Sequence, residues 1–178
     1  MAGAAGVRGM TPVLRDATVA DAALLVKIGT ETFADTFGHL YHPDDLAAFL
    51  ARFTVAAWEA ELTDPRFHIV LAMTGDEAVG YAKLGPPSLP FEPTGQPIEL
   101  RQFYLRKAAQ GTGLAATLME HMLAKARATG ADELYLSVFV DNHRARRFYE
   151  RYGFERVGTY DFMVGNHRDE DDVMRVAL

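Results

Sequence analysis

The alternation of hydrophobic and polar positions divides the chain into strand-like and helix-like segments. Short runs rich in β-branched and aromatic residues predict seven strands, among them RFHIVLAM at 66–73, IELRQFYL at 98–105 and DELYLSVFV at 132–140. Longer amphipathic segments predict five helices, including one that starts near Thr18 and carries Leu24 to Phe37. The predicted order is one strand, three helices, three strands, a helix, a strand, a helix and two final strands.

This order predicts one α/β (α+β) domain over residues 11–178, with a mixed central sheet flanked by helices. It differs from the regular strand–helix alternation of a doubly wound sheet. A chain of 178 residues is long enough to bury one sizeable core, and it contains no internal repeat. The first ten residues, MAGAAGVRGM, are small and rich in glycine, which predicts a flexible leader over 1–10 rather than a signal peptide.

Composition narrows the classes of function. The chain has no cysteine, which excludes disulfides, a thiol nucleophile and thiolate metal sites. A net charge of -6 argues against nucleic-acid binding, and no apolar run reaches the roughly 18 residues that a membrane span needs. These features predict a cytoplasmic protein with no nucleic-acid or membrane partner.

The segment KAAQGTGLAATLM at 107–119 places two glycines between a predicted strand and a predicted helix, where backbone N–H groups often hold phosphate. A Walker loop needs a lysine after its last glycine, and Leu114 stands there instead. A dinucleotide loop follows the first strand of its domain, whereas this loop lies past the middle of the chain. The third alternative is a pyrophosphate loop of the form Gln110-x-x-Gly113-x-Ala115. A simple turn that opens a helix explains these residues equally well.

A second group of residues follows in the next predicted strand–helix unit. Asn142 stands where the strand ends and the helix begins, Phe148 and Tyr149 lie on that helix, and Gly153-Phe154 turns the chain into another strand. Tyr149 is seven residues after Asn142, so the two share a helix face after two turns. Each of them alone is explained as a cap or a core aromatic residue, but their order after the glycine loop is a specific pattern.

With these two motifs the sequence resembles the GNAT superfamily of acetyl-CoA-dependent N-acetyltransferases, over nearly the whole chain from about Thr11 to Leu178. The early helix with ETFADTF at 31–37 and the tail from Val157 look similar to PaiA-type polyamine (spermidine/spermine) N-acetyltransferases. The resemblance implies a single acyl-CoA N-acyltransferase domain whose sheet is mostly antiparallel. It also implies that the strands predicted at 98–105 and 132–140 splay apart and hold the arm of the cofactor.

The resemblance also implies roles for individual residues, with acetyl-CoA as co-substrate and no metal. Tyr149 would protonate the departing CoA thiolate, since a thiol pKa near 8.5 is within reach of a phenol. Asn142 would bond the pantetheine, and Arg147 or Arg151 would meet the 3′-phosphate. The end of one strand and the glycine loop would bind the acetyl carbonyl, the pantetheine amides and the pyrophosphate; the residues concerned are Phe103, Tyr104, Leu105, Gln110, Gly111, Thr112, Gly113, Leu114, Ala115 and Ala116.

The acceptor amine must lose a proton before it attacks, so a base or a chain of waters is needed. Glu99 is the candidate base, because it lies on the strand that leads to the acetyl site, and alternation places it on one face with Arg101 and Phe103. Arg101 stands where PaiA-like relatives often have an acid, which argues against polyamine specificity. Its charge would also depress the pKa of a nearby carboxylate.

Other charged groups have simpler explanations. Glu31 and Asp35 are one helical turn apart and are predicted to lie on a solvated helix face rather than in an amine cleft. The acidic run 169–172 is predicted to be a solvated hairpin, because a turn is expected there between the last two strands. His39 and His42 stand near two acids in a turn-like segment, and helix capping explains this group better than a metal site.

Two classes of function fit these residues. The first is an enzyme that moves an acetyl group from acetyl-CoA to a primary amine of a polyamine-like or amino-acid-like small molecule, with a protein or peptide amine as a less favoured acceptor. The second is a regulatory module that binds acyl-CoA without catalysis, which would not need an acid such as Tyr149. The resemblance further implies that two copies of the chain can form a homodimer through the final strands.

Overall fold

The structure is a computed structural model that describes residues 11–178, and the leader predicted over residues 1–10 lies outside them. Within the described residues the chain forms the predicted strands and α-helices in the predicted order. The strands are β1 (Val13–Asp16), β2 (His68–Thr74), β3 (Glu77–Gly85), β4 (Pro97–Leu105), β5 (Glu133–Phe139), β6 (Glu155–Val164) and β7 (His167–Ala177). The helices are α1 (Ala22–Phe37), α2 (Pro43–Leu50), α3 (Val55–Thr63), α4 (Leu114–Ala128) and α5 (His143–Arg151).

All the strands join one sheet in the order β1-β2-β3-β4-β5-β7-β6. Every neighbouring pair is antiparallel except β4 and β5, which are parallel. The crossover between these two strands contains the glycine loop and α4, because parallel neighbours cannot be joined by a tight turn. The predicted α/β class and the mixed, mostly antiparallel sheet are confirmed.

The parallel strands stay together over a short distance. Pro97 to Glu99 pairs with Glu133 to Tyr135, and β4 and β5 then diverge for the rest of their length. The predicted splay is therefore present. Because the strands separate, β5 does not pair with the edge of β4 from Leu100 to Leu105, and the backbone groups of that edge are left for another partner.

β4 also carries a bulge at Arg101. On the neighbouring β3, Lys83 pairs with Gln102 and the next residue, Leu84, pairs with Leu100, so Arg101 is an extra residue in the ladder. A bulge of this kind interrupts the regular alternation of side chains.

The bulge overturns one prediction. Simple alternation places Glu99 on one face with Phe103, but Leu100 and Phe103 pack together in the core under α4. Glu99 instead receives hydrogen bonds from Ser88 in the proline-rich loop after β3. The two residues therefore do not share a face, and the extra residue at Arg101 is the physical reason.

Helices cover both faces of the sheet. One core cluster joins the sheet to α4 and α5 and includes Leu118 and Tyr149, and a second joins it to α1 and α3 and includes Leu25 and Trp58. β5, at the centre of this arrangement, is buried along most of its length. Its unbroken apolar run predicts this burial on both faces.

β6 and β7 form a final hairpin whose tip contacts α2. The backbone N–H of Asn166 donates to the carboxylate of Asp45 at 3.0 Å. A Cβ at Gly165 would meet the same carboxylate at 2.2 Å, and the φ of 57° at this glycine also disfavours any other residue. The contact holds the hairpin against the helical side of the molecule.

The position of the hairpin turn corrects another prediction. The turn is formed by Gly165 and Asn166, and β7 begins at His167, so the acidic run 169–172 lies inside a strand. Asp169, Asp171 and Asp172 are buried rather than solvated. The prediction fails because polarity and chain position favour a turn here, whereas the pairing of β7 with both β5 and β6 carries the run into the interior.

Candidate active site

A cleft of about 680 Å³ opens where β4 and β5 separate. Its walls come from the two diverging strands, the loop before α4, the helix α5, and α1 together with the final hairpin. The residues predicted to bind the cofactor or act on it that line this cleft are Phe103, Tyr104, Leu105, Gln110, Gly111, Gly113, Ala115, Ala116, Asn142, Arg147, Tyr149 and Arg151. Side chains and backbone from three separate segments of the sequence are thus brought together in one place.

The glycine loop adopts a backbone conformation that glycine takes readily and other residues do not. Gly111 has a φ of 76°, and Gly113, the N-cap of α4, has a φ of 89°. A Cβ at either position would meet no atom within 4 Å, so conformation rather than crowding requires glycine. Ala115 and Ala116 in the first turn of α4 line the cleft. The unpaired N–H groups of that turn and the helix dipole suit an anion there.

Two predicted residues of the loop do not line the cleft. Thr112 donates through its hydroxyl to the carbonyl of Ala109 at 2.7 Å, and Leu114 is buried in a small cluster that includes Ala109. Both residues hold the shape of the loop from behind. Their side chains therefore support the anion-binding turn without facing it.

Arginine side chains of α5 place positive charge beside the glycine loop. Arg144, Arg147 and Arg151, from the first two turns of α5 and its end, line the cleft. Arg144 donates to the side-chain oxygen of Gln110 at 2.7 Å, and Gln110 donates to the carbonyl of Leu105 at 3.2 Å. Gln110 thus connects the end of β4 to α5. Arg144 is absent from the predicted residues, and the signal that points to it is its position two residues after the Asn142 cap.

Asn142 begins α5 and also lines the cleft. Its side-chain oxygen accepts a hydrogen bond from the backbone N–H of Ala145 at 3.3 Å. This is the ordinary bond of an N-cap, so the capping role is present. Because the capping bond uses the oxygen, the amide N–H groups of the side chain are left to donate to a ligand.

Tyr149 forms part of the inner wall of the cleft and is only 8% exposed. The centroid of its ring lies 5.7 Å from that of Phe154 and 6.5 Å from that of Phe103. Burial raises the pKa of its phenol well above the ordinary value. The hydroxyl therefore keeps its proton at neutral pH and offers it to whatever occupies the cleft.

Tyr104 lies beside Tyr149 at the end of β4. Its ring stacks on that of the buried Tyr81, with centroids 5.8 Å apart. Burial raises the pKa of Tyr104, and the charges of Tyr149 and Asp171 raise it further. Tyr104, Tyr149 and Asp171 all line the cleft.

Glu99, the predicted base, lies outside the cleft lining. It is buried, and its carboxylate accepts a hydrogen bond from the backbone N–H of Ser88 at 2.5 Å and another from its hydroxyl at 3.1 Å. These bonds fasten the proline-rich loop to β4. The bulge at Arg101 places Glu99 on the other face of β4 from Phe103. A catalytic role for Glu99 stays a prediction.

The end of the cleft away from the glycine loop is acidic and aromatic. Asp169 and Asp171 of β7 line it, and both are buried. The hydroxyl of Tyr41 donates to one oxygen of Asp169, and the Nε2 atom of His167 lies 3.1 Å from the other. Asp169 is thus engaged on both oxygens.

Asp171 has a different environment from Asp169. Desolvation raises its pKa to about 6, the nearby Ser137 side chain opposes this shift, and the charges of Asp169 and Asp172 add to it. The sequence prediction missed both carboxylates of the cleft. The signal that was available is their spacing of two residues within a strand, which places both on one face.

The other charged residues singled out in the sequence lie elsewhere. Glu31 pairs with Arg106 at 2.7 Å, Asp35 is exposed, and neither lines the cleft. Within residues 11–178 no group of three or more histidines and carboxylates is arranged to hold a metal ion. In the same part of the chain, no helix has both the length and the apolar surface to cross a membrane.

Comparison with known proteins identifies the family. Residues 30–154 match the acetyltransferase (GNAT) family. An uncharacterised N-acetyltransferase of Mycobacterium tuberculosis is 36% identical over 86% of this chain and 96% of its own length. The N-alpha-acetyltransferase RimI of the same organism is 37% identical over 58% of this chain and 61% of its own.

The fold agrees with this match. The crystal structure of the PaiA N-acetyltransferase from Thermoplasma acidophilum in complex with coenzyme A superposes with a TM-score of 0.76. It is 17% identical and covers 95% of this chain and 100% of its own, so it supports the fold alone. From the match over residues 30–154 and the near full-length mycobacterial relative, the chain belongs to the acetyltransferase (GNAT) family and is an N-acetyltransferase that uses acetyl-CoA.

Proposed function

We propose that this protein transfers the acetyl group of acetyl-CoA directly to a primary amine of a small molecule. The observation that carries the proposal is the cleft itself, in which the glycine loop, the unpaired edge of β4 and Tyr149 face the same space. A loop for a pyrophosphate, an edge for amides and a proton donor are the three parts that this transfer needs.

The half of the cleft near α4 fits the cofactor. We assign the pyrophosphate to the backbone N–H groups from Gly111 to Ala116, at the positive end of the helix dipole. The edge of β4 from Phe103 to Leu105, which β5 leaves unpaired, would hold the pantetheine arm as an added strand does. Asn142 would donate to the pantetheine, and Arg147 or Arg151 would meet the 3′-phosphate.

Tyr149 would act as the proton donor. The amine nitrogen forms a bond to the acetyl carbon, the bond from that carbon to sulfur breaks, and the phenol protonates the departing thiolate. A buried phenol whose pKa is raised is protonated at the start of this step, as a general acid must be. Removal of water from the inner wall also strengthens its hydrogen bond to a developing thiolate.

The acceptor is proposed to be a small amine, and polyamine-like and amino-acid-like molecules both remain in the proposal. A peptide amine is a second candidate, because the partial match to the N-alpha-acetyltransferase RimI favours it. A homodimer through the final strands and a cytoplasmic location stay predictions. β6 is at the edge of the sheet, and its exposed Val157 and Met163 are available to a second copy.

A direct assay tests the proposal. Purified protein is given acetyl-CoA with a panel that contains a polyamine, an amino acid, a simple alkylamine and a peptide with a free N-terminal alanine. We expect thiol release in step with formation of one N-acetylated amine. Thermal stabilisation by CoA without turnover of any amine would instead establish a binding module that does not catalyse acetylation.

A further inference from the structure

One buried carboxylate in the cleft has no cationic partner. Asp169 is engaged by Tyr41 and His167, and Asp172, on the other face of β7, is paired with Arg146 and Arg156. Asp171 lies between them in sequence, is only 7% exposed and lines the cleft, and no ion pair within residues 11–178 includes it. A buried carboxylate of this kind is costly unless a ligand brings the missing positive charge.

The space in front of Asp171 is lined by aromatic rings. Phe33 and Phe37 of α1 are 5.3 Å apart between centroids, Phe33 is 6.5 Å from Phe162 of β6, and Phe37 is 6.4 Å from Phe139 of β5. These four rings line the same cleft. They form an apolar wall for the part of the acceptor that carries the amine.

Among residues 11–178, no second free carboxylate lines this wall. Asp169 and Asp171 are the carboxylates that line the cleft, and both oxygens of Asp169 are already occupied. Arg101 also lines the cleft, but its guanidinium donates to the carbonyl of Pro86 at 3.0 Å and packs against Phe67. A second ammonium group on the acceptor would therefore be buried among rings without a counter-charge.

Asp171 shares its cleft with the proton donor. Tyr104, Tyr149 and Asp171 all line it, and Asp171 pairs across the sheet with Phe139 of β5, whose ring belongs to the apolar wall. A single cleft thus contains a proton donor for the leaving group and a free carboxylate for the amine.

We propose that Asp171 binds the ammonium group of the acceptor and takes its proton, and that the acceptor is a primary monoamine on an aromatic or branched apolar arm. The inference rests on the acetyltransferase function proposed above. It replaces Glu99 with Asp171 as the residue that prepares the amine for attack.

The proton balance is complete with these two residues. One proton passes from the ammonium group to Asp171, which frees the nitrogen lone pair to form the bond to the acetyl carbon. The bond from carbon to sulfur breaks, Tyr149 protonates the thiolate, and a second proton leaves the nitrogen to restore the tyrosine. Asp171 then releases its proton to solvent, so the products are an N-substituted acetamide, free CoA and one proton.

The surroundings of Asp171 permit this proton transfer near neutral pH. Its raised pKa means that it is ionised above about pH 6 and accepts a proton more readily than an exposed aspartate. The titratable, charged or hydroxyl groups that face it or act on it from the surrounding elements are Asp169, His167 and Asp172 of β7, Ser137 of β5, Tyr160 of β6, Tyr104 of β4 and Tyr41 after α1.

Two matched amines test the acceptor class in the wild-type protein. Pentylamine and 1,4-diaminobutane have the same number of heavy atoms, and the diamine differs only in a terminal ammonium in place of a methyl group. We expect kcat/KM to be at least about tenfold higher for pentylamine, and higher again for 2-phenylethylamine, since a lost methyl contact or an unpaired charge each costs about this much. Equal or better use of the diamine would overturn the inference.

A substitution tests the residue. Asp171→Asn should lower kcat/KM for pentylamine by about 100-fold and abolish the acidic limb of its pH profile near pH 6, since general-base removal has effects of this size. Glu170→Gln, on the adjacent exposed residue of the same strand, should leave both unchanged. A limb that persists in Asp171→Asn, or a loss below about threefold, would show that Asp171 neither binds nor deprotonates the amine.

The two proposals fail in different ways. CoA affinity of Asp171→Asn, measured by titration calorimetry, should stay within about twofold of wild type, because the cofactor half of the cleft is untouched. If the wild-type protein acetylates no amine at all, the proposed function is wrong. If it acetylates amines but prefers diamines and ignores the change at Asp171, that function stands and the acceptor assignment is wrong.

Discussion

At the level of single residues, the role of the Tyr149 hydroxyl can be tested by removing it. In the proposed reaction it protonates the thiolate, so Tyr149→Phe should lower kcat by about 100-fold or more at pH 7.5. The ring contacts with Phe103 and Phe154 survive the change, so the affinity for CoA should stay within about twofold. Steady-state kinetics with acetyl-CoA and a calorimetric titration with CoA measure the two quantities separately.

Tyr152 on the same helix provides the matched control. Its hydroxyl is 3.4 Å from the carbonyl of Ala116 and does not line the cleft, so Tyr152→Phe should keep kcat within about twofold. If Tyr149→Phe lost CoA affinity and kcat to the same extent, Tyr149 would be a packing residue. A pH profile that is unchanged by Tyr149→Phe would likewise remove its role as the acid.

At the level of single residues, sequence and structure agree where the signal is local. Asn142 and Tyr149 are two helical turns apart, which predicts that they share one helix face, and the structure brings both to the cleft. For Asp171 the local signal is weaker: its spacing from Asp169 indicates a shared strand face, but its burial depends on β7 pairing with both β5 and β6. Charge alone suggests a solvated turn, and only the tertiary pairing buries this aspartate.

At the level of elements, caps and turns were predictable and the irregular strand was not. Thr54 caps α3 with a bond of 3.1 Å to Ala57, and Gly75 forms the turn between β2 and β3 with a φ of 60°. Both follow from residue preferences at fixed positions. The bulge at Arg101 has no such preference behind it, since it arises from the way β3 and β4 pair. This is why the face assigned to Glu99 was wrong.

The start of α5 can be tested by separating its two roles. Asn142→Ala removes the cap and should lower the free energy of unfolding by about 1 kcal/mol, while Asn142→Ser keeps a capping oxygen and should change it by a few tenths. Neither variant keeps the amide N–H groups of the side chain. Both should therefore weaken CoA binding by about fivefold, which corresponds to the loss of one hydrogen bond. Urea unfolding and calorimetric titration give the two results.

The comparison of the two variants decides between the roles of Asn142. If Asn142→Ser bound CoA as tightly as the wild-type protein, the residue would be a helix cap and nothing more. If Asn142→Ala were as stable as wild type, the bond to Ala145 would contribute little, and the cleft would be the reason for an asparagine at this position.

At the level of the whole molecule, the order of elements was enough to predict the class of fold. Hairpins, and the two helical crossovers through α4 and α5, follow from the lengths of the connections, and they produce the mixed sheet. The divergence of β4 and β5 was expected from the family resemblance alone, since no periodicity indicates where paired strands separate. The acceptor end of the cleft depends on contacts between α1 and the final hairpin, which are distant in sequence.

At the same scale, the ionised carboxylate of Asp171 lowers the stability of the folded protein. Asp171 has a pKa of about 6 when folded, above the value of 3.8 for an ordinary aspartate. The folded state therefore binds this proton more readily than the unfolded state, so ionised Asp171 lowers stability above pH 6. The penalty disappears as the pH falls through 6 toward 4. Asp21, whose bond to Arg15 lowers its pKa to about 2, acts in the opposite direction and at lower pH.

Stability measurements at two pH values test this cost. Between pH 4.5 and pH 7.5 the wild-type protein should lose about 2 kcal/mol relative to Asp171→Asn, because the amide carries no charge at either pH. Other titrating groups such as His68 cancel in the comparison, and Glu170→Gln should follow the wild type. Urea unfolding of the three proteins at both pH values gives the difference. If the difference in free energy of unfolding between wild type and Asp171→Asn did not change with pH, Asp171 would be solvated in the folded protein. It would then lack the burial on which its role as proton acceptor depends.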